Sequence, residues 1–206
     1  MAKQDSTRER LMSAAGEIFA RDGFQKAGVR EICEAAGGAN VASVKYYFGG
    51  KIGLYREVIR AAMTDLQSKR PVPVEGLDPQ EALANWLRQF LELTLIHRHN
   101  HPYAGRIMKH ELREPTEILD EIVQNVIGPI HKELARVLAK VTGLQSNSNA
   151  NRQTAALVLS MCANLETSRP VLERLGARIP VDPAAVGVFA SEITEFVLHG
   201  VMGGNK

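Results

Sequence analysis

From Asn40 to Lys51 the chain reads Asn-Val-Ala-Ser-Val-Lys-Tyr-Tyr-Phe-Gly-Gly-Lys, a stretch dense in hydroxyls, cations and an amide. A helix advances about 100° per residue, so one covering this stretch turns Val41, Val44 and Phe48 to one side. Ala42, Ser43, Tyr46 and Tyr47 then face the other way, with Lys45 on the flank. Small residues at the helix start permit a close approach to base edges. Ser43 and Lys45 can hydrogen-bond bases or phosphates, and the tyrosines can do so through their hydroxyls. An ordinary solvated helix with two tyrosines packed on a neighbouring domain fits the same local pattern.

Other chemistry is sparse. His97 and His101 are spaced i, i+4 around His99, which suits a metal on a helix face. The run equally suits a helix end whose basic side chains lie near the last carbonyls, halted before Pro102. No carboxylate or cysteine stands in it, so no metal is expected. Cys33 is a candidate redox switch or, more simply, a small apolar core residue. No Glu-x-x-His pair, Gly-x-Ser-x-Gly elbow, His-Glu-x-x-His motif or phosphate loop is present. An all-α enzyme or metal-binding protein would have only His110-Glu111 and the histidine run to work with. The expectation is a protein without catalytic residues or cofactor.

The elements that carry the Asn40–Lys51 face have legible ends. Ser6-Thr7-Arg8-Glu9 has capping-box spacing for a first helix, in which Leu11, Ala14, Ala15, Ile18 and Phe19 form an apolar stripe. Asp22-Gly23 supplies its stop. Val29, Ile32, Cys33 and Ala36 make a second, short stripe closed by Gly37-Gly38, and Asn40 is a good N-cap for the third helix. Helices this short are marginal alone and must pack together. A short helix, a glycine turn and another short helix form a helix-turn-helix. A connecting helix follows over 51–70, then the loop Arg70-Pro71-Val72-Pro73-Val74-Glu75-Gly76. Helices are expected near 78–97, 102–113, 116–141, 150–175 and 183–201, with Pro129 kinking or splitting the third of these. The fold class is all-α, with a domain over 1–50 and a second over 51–206.

Composition sets the outer bounds. The 206 residues are 45% hydrophobic and 23% charged, as in a globular protein able to bury a core without disulfides. The longest run without Asp, Glu, Lys or Arg is Gln153–Leu165, 13 residues. A bilayer span needs about 20, so no membrane partner is expected. No secretory signal is visible, and two cysteines 129 positions apart, Cys33 and Cys162, favour the reducing cytoplasm. Residues 1–60 carry ten Lys/Arg against seven Asp/Glu, whereas the remainder carries fifteen against sixteen. That excess points to nucleic acid only when joined to a motif.

Such a motif is present. Arg8-Glu9-Arg10-Leu11, Ala14-Ala15, Phe19, Gly23-Phe24, Val29-Arg30-Glu31-Ile32, Ala36-Gly37 and Tyr46 through Tyr55 resemble the N-terminal domain of TetR-family transcriptional regulators. The resemblance implies that the third helix enters the major groove of operator DNA. It makes Asn40, Ala42, Ser43, Lys45 and Tyr46 the groove-facing residues, and Tyr47 and Lys51 phosphate clamps. Gly28 and Arg30, at the start of the second helix, become a further backbone contact. The chain departs from the family in three places: Gly28 replaces a hydroxyl cap, Gly50-Lys51-Ile52 lacks the polar cap and following glutamate, and Gly37–Asn40 is one residue longer than usual.

Farther on, His110-Glu111-Leu112-Arg113-Glu114-Pro115-Thr116, Val126 through Ile130 and Ser168 through Leu172 resemble the CecR-like subgroup. The resemblance implies a sequence-specific, homodimeric regulator, a repressor or dual regulator, released from its operator by a small-molecule effector. Export or drug-response genes are the implied targets. For the effector, Met63, Trp86, Phe90, Tyr103, Met108 and Met161 are candidates to line an apolar pocket, with Arg106, His110 and Glu111 as polar contacts. Plain core packing is the competing role for most of them. In the last two helices Leu157, Val158, Met161 and Leu165, and Val186, Phe189, Ile193, Phe196, Val197 and Val201, are apolar on more than one face. Such helices are covered by their own core or by a second copy, and a two-fold interface is expected there.

Overall fold

The structure is a computed structural model that describes residues 2–96 and 103–202. His97, His99 and His101 lie outside the described residues. Among the described residues ten α-helices follow one another: α1 Ala2–Lys26, α2 Val29–Ala35, α3 Val41–Phe48, α4 Lys51–Ser68, α5 Pro79–Leu91, α6 Ala104–Arg113, α7 Ile118–Ile122, α8 Gly128–Thr142, α9 Asn149–Arg174 and α10 Pro183–Met202. No strand occurs among the described residues, so the expected all-α class holds. Among the same residues no helix is long and apolar enough to cross a membrane.

Several element ends differ from the sequence expectation, each for a local reason. α1 begins at Ala2, so Ser6 lies inside the helix and is not its cap. Ala2, Lys3 and Gln4 are good helix formers and carry the first turn farther back. At Gly23 (φ 76°) the helix breaks, as Asp22-Gly23 led one to expect. The helix expected over 78–97 changes at Glu92 into a five-residue π segment, Glu92–Ile96. The one expected over 116–141 is split into α7, a π segment Val123–Ile127 and α8. Pro129 explains the split: it has no N–H, and its ring crowds the carbonyl four residues back, inside the π segment.

The chain forms two compact units, Met1–Ser68 with Asn100–Val123, and Lys69–His99 with Gln124–Lys206. The unit boundary therefore differs from the division at residue 50. α4 goes with the first unit because Leu54, Tyr55, Val58, Ile59 and Ala62 are buried where α4 meets α1 and α6. Residues 100–123 join the same unit through Ile107, Ile118 and Ile122.

In the first unit the stripe Leu11, Ala14, Ala15, Ile18 and Phe19 is buried in full. Phe19 meets the Tyr55 ring edge-on at 4.8 Å, and Phe24 lies 5.0 Å from the same ring. The Tyr55 hydroxyl donates to Glu111 Oε2 at 2.8 Å, linking α4 to α6. Glu111 is only 1% exposed. Its other oxygen accepts from the Thr116 backbone N–H (2.7 Å) and hydroxyl (2.9 Å), so the buried charge has three donors. Burial pushes the Tyr55 hydroxyl pKa up, and the hydrogen bond to Glu111 raises it further. Around this pair Arg56 holds Glu121 (2.7 Å) and Glu117 (2.8 Å) across the same two segments. α3 and α4 meet closely: a Cβ on Gly53 would stand 1.8 Å from the Phe48 carbonyl oxygen, a position only glycine can fill.

The second unit packs α5, α8, α9 and α10 around Leu83, Trp86, Leu87, Phe90, Leu134, Leu138, Val158, Val186, Ile193 and Val197. Asp78 starts α5 with a capping box, accepting from Gln80 N–H (2.8 Å) and Glu81 N–H (3.0 Å) while Glu81 accepts from Asp78 N–H. Arg169 on α9 donates to the Ile179 and Pro180 carbonyls at 2.9 and 3.0 Å, fastening the connection to α10. The apolar residues of the last two helices divide between two environments. Val158, Val186, Ile193 and Val197 are buried in the unit's own core, whereas Leu157, Val188 and Phe196, the last 69% exposed, face outward.

Replacing Tyr55 by Phe removes one donor from a buried carboxylate without changing the aromatic packing. Hydrogen bonds to charged groups contribute about 1.5–3 kcal/mol, and the expected loss of unfolding free energy lies in that range. Urea unfolding of Tyr55→Phe against the parent checks it; a loss below about 0.5 kcal/mol would show that Glu111 does not rely on the tyrosine.

Candidate nucleic-acid interface

The candidate face is built by α2, the Ala36–Asn40 turn and α3. On α2, Ile32 and Cys33 are buried, and Ala36 follows them inward. The turn reverses through two consecutive left-handed glycines, Gly37 (φ 84°) and Gly38 (φ 75°). The Gly37 N–H donates to the Glu34 carbonyl at 3.0 Å and the Ala39 N–H to that of Cys33 at 2.9 Å. The extra residue is thus absorbed in a wide turn, because glycine accepts positive φ at no steric cost. Asn40 then caps α3: its backbone is extended (φ −69°, ψ 136°) and its Oδ1 accepts from the Ala42 N–H at 2.8 Å. Gly49 closes the helix in a left-handed conformation.

Val44 and Phe48 point into the unit, as expected. Val41 does not: it is 47% exposed. It stands in the first turn of α3, next to the cap, whereas Val44 one turn later is buried. Ala42, Lys45 and Tyr46 are exposed, Tyr46 to 73%, while Ser43 and Tyr47 are half-buried. The Tyr46 and Tyr47 rings meet edge-on at 5.0 Å, and Tyr47 lies 6.2 Å from Phe48. Asn40, Ala42, Ser43, Lys45 and Tyr46 therefore lie along one short helix and its cap, with Tyr47 leaning on the core.

Lys51 opens α4 and has a local role of its own. Its Nζ donates to the Gln25 carbonyl at 3.3 Å and sits 4.6 Å from the centre of the Phe24 ring. Partial burial lowers its pKa. The ammonium thus ties the α4 start to the end of α1 and keeps further donors for an anion. Gly28 precedes α2 in extended conformation with no side-chain cap, consistent with the missing hydroxyl, and Arg30 is exposed beside it. Two arginines that sequence reasoning had not assigned hold the frame. Arg8 lies 5.4 Å over the Phe48 ring while pairing with Glu57 at 2.8 Å. Arg21 pairs with Asp22 at 2.6 Å and with Glu31 on α2. Glu57 and Glu31 lie on other helices, so periodicity carries no sign of these two pairings. Cys33 is buried and its thiol pKa is pushed up by burial, as for an inert core residue.

The effector candidates fall in both units. Met63, Tyr103, Arg106, Met108, His110 and Glu111 belong to the first, and Trp86, Phe90 and Met161 to the second. Met63 is buried, Tyr103 covers Gly16 of α1, and His110 stands against Gly23. Glu111 has both oxygens engaged by Tyr55 and Thr116. Trp86 and Phe90 stack at 5.3 Å within the second core, against which Met161 packs. Among the described residues no three metal-ligating side chains come together.

Comparison with known proteins assigns both parts of the chain. Residues 11–58 match the family model described as bacterial regulatory proteins, tetR family. Residues 79–201 match the C-terminal domain of the HTH-type transcriptional dual regulator CecR. CecR of Shigella flexneri is 27% identical over 155 residues, 70% of this chain and 69% of that protein. The probable HTH-type transcriptional regulator YttP of Bacillus subtilis is 25% identical over 122 residues, 59% of this chain and 58% of YttP, less than two thirds of its length. Among solved structures, a transcriptional regulator from Rhodococcus sp. Rha1 superposes with a TM-score of 0.60 at 24% identity, covering 94% of this chain and 96% of that one. The flavonoid-responsive regulator FrrA gives 0.62 at 21% identity, covering 94% and 95%. With its N-terminal helix-turn-helix and a C-terminal domain matching more than half of its length, the chain belongs to the TetR family of bacterial regulators, in the CecR group.

Proposed function

We propose that this protein is a homodimeric, sequence-specific DNA-binding repressor whose α3 reads the major groove and whose C-terminal helices bind a small-molecule effector that releases it. The observation that carries the reading is the α3 surface. Val44 and Phe48 anchor the helix from beneath, while Ala42, Lys45 and Tyr46 project from a short helix capped by Asn40. Two such units, related by a two-fold axis, would enter successive major grooves about 34–36 Å apart. Asn40, Ala42, Ser43, Lys45 and Tyr46 are the proposed base-side residues. Tyr47, Lys51, Arg30 and the backbone at Gly28 are the proposed phosphate contacts. Release requires the effector to favour the conformation that cannot bind DNA. Relatives are named for a dual regulator and a flavonoid-responsive regulator, which supports testing both signs of regulation and aromatic effectors.

The dimer is assigned to α9 and α10. Leu157, Val188 and Phe196 are apolar and outward-facing on those helices, and a second copy would cover them. Proteins binding a two-fold operator need both half-site readers held at fixed spacing, so loss of the dimer and loss of operator affinity go together.

The reading is tested by binding to DNA upstream of the protein's own gene, against random DNA, at roughly 50 and 200 mM salt. A preference for the upstream fragment that persists at the higher salt is expected; no DNA binding by folded protein would overturn the reading. Tyr46→Ala is expected to weaken the specific site by about 1–3 kcal/mol, as for a base contact. Equal affinity of the folded variant would remove Tyr46 from the reading surface. Lys51→Ala is expected to weaken all DNA and lower the salt slope by about one. Because Lys51 also holds Gln25, its thermal stability is measured alongside, and an unchanged slope would leave the lysine a purely structural tie. Phe196→Glu with Leu157→Glu is expected to give monomers by sedimentation and to abolish cooperative operator binding. A dimer that survives both charges would place the interface elsewhere.

A further inference from the structure

The second unit buries its only tryptophan around an unanswered polar group. Trp86 is 1% exposed, and among the described residues its indole Nε1–H has no hydrogen-bond acceptor. A buried donor left unpaired loses about 1–3 kcal/mol of hydration, so native cores rarely keep one without a purpose. A water molecule is a poor answer in this place. Buried waters make about three hydrogen bonds, whereas Trp86 belongs to an apolar core cluster that includes Leu83, Leu87, Phe90, Leu134 and Val197.

The neighbouring backbone points the same way. Trp86 and Phe90 stack one turn apart at 5.3 Å with their planes 21° from parallel, forming a stacked aromatic pair along α5. Just after Phe90 the helix widens into the π segment Glu92–Ile96, a feature frequent at functional sites. There the polar disturbance is answered internally: the Thr94 hydroxyl donates to the Phe90 carbonyl at 2.9 Å. The polar group left over on this stripe is the indole N–H.

We infer that the stripe of Trp86 and Phe90 leading into the Glu92–Ile96 π segment is the effector-binding face, with the Trp86 N–H donating to a hydrogen-bond acceptor on a flat, uncharged aromatic ligand. The proposal deepens the effector-responsive reading above and rests on it. A charged group is excluded from the buried end of such a ligand, because it would lie unpaired among hydrocarbon. A carbonyl or ether oxygen satisfies the donor at little desolvation cost. The rest of the ligand gains by stacking on the aromatic pair and by apolar burial. Entry requires the helices around Trp86 to part, so the liganded unit differs from the free one, the condition for a ligand to shift a conformational equilibrium.

The test uses the full chain and two probes of similar shape: flavone, which carries a carbonyl acceptor and no donor, and 2-phenylnaphthalene, which carries neither. Trp86→Phe keeps an aromatic ring and deletes the N–H. By equilibrium dialysis, flavone is expected to bind the parent and to lose roughly tenfold in affinity to the variant, while 2-phenylnaphthalene binds both equally. Independently of any variant, the single indole N–H resonance of the parent is expected to move downfield with flavone and not with 2-phenylnaphthalene. Absence of flavone binding, an unmoved indole resonance, or equal losses for both probes would overturn the proposal. DNA binding on the same samples separates it from the wider reading. Flavone bound through Trp86 with unchanged DNA affinity supports the ligand face and counts against effector release. Release of DNA by flavone from parent and Trp86→Phe alike keeps the release reading and overturns the role of Trp86.

Discussion

A carboxylate cannot be left bare inside a protein, and Glu111 is almost wholly inside. Its solution is to draw donors from two places: the Tyr55 hydroxyl on α4 and the Thr116 backbone and hydroxyl just beyond α6. That requirement sets α4 against the α6–α7 segment, and the geometry propagates through one turn of α4. Two residues before Tyr55, Gly53 sits so close to the Phe48 carbonyl that no other side chain fits. α3 is therefore seated on the same stretch of α4 that answers the buried charge. α2 and α3 have seven and eight residues, too short to be stable alone, and take their rigidity from this frame.

The frame is reinforced by contacts that do double duty. Arg8 lies over Phe48 while pairing with Glu57, joining α1 to the end of α3 and to α4. Lys51 binds a carbonyl of α1 and still presents charge at the start of α4. Exposed ion pairs of this kind contribute little singly, typically under about 1 kcal/mol. Their value here is in fixing the orientation of a short helix whose outer face must hold its side chains in register.

The second unit rests on a different compromise. Its last two helices divide their apolar residues between an internal core and an outward face, so neither helix is satisfied by the unit alone. Val186, Ile193 and Val197 close on α5, while Val188 and Phe196 turn away. In α5 the demand for hydrocarbon packing is met so fully that Trp86 keeps its ring covered and its N–H unmatched. The same apolar walls that hold the bundle together leave the indole N–H of Trp86 without a partner among the described residues.

Local information determined much of this protein. The apolar stripe of α1, the Asn40 cap, the Gly37-Gly38 turn and the buried pair Val44 and Phe48 are set by neighbours within one or two turns, so periodicity and capping chemistry reveal them. The sidedness of Tyr46 and Lys45 follows from the same arithmetic. Where a residue's surroundings come from remote parts of the chain, the sequence alone was silent or misleading. Val41 obeys the inward period yet is exposed in the first turn of α3. Ser6 has the spacing of a cap yet lies within a helix that started earlier. Glu111 looked available to a ligand until Tyr55, 56 positions away, took one of its oxygens. Hydrophobic period reports which residues turn away from water; only tertiary packing decides which of them find cover, and which polar groups among them find partners.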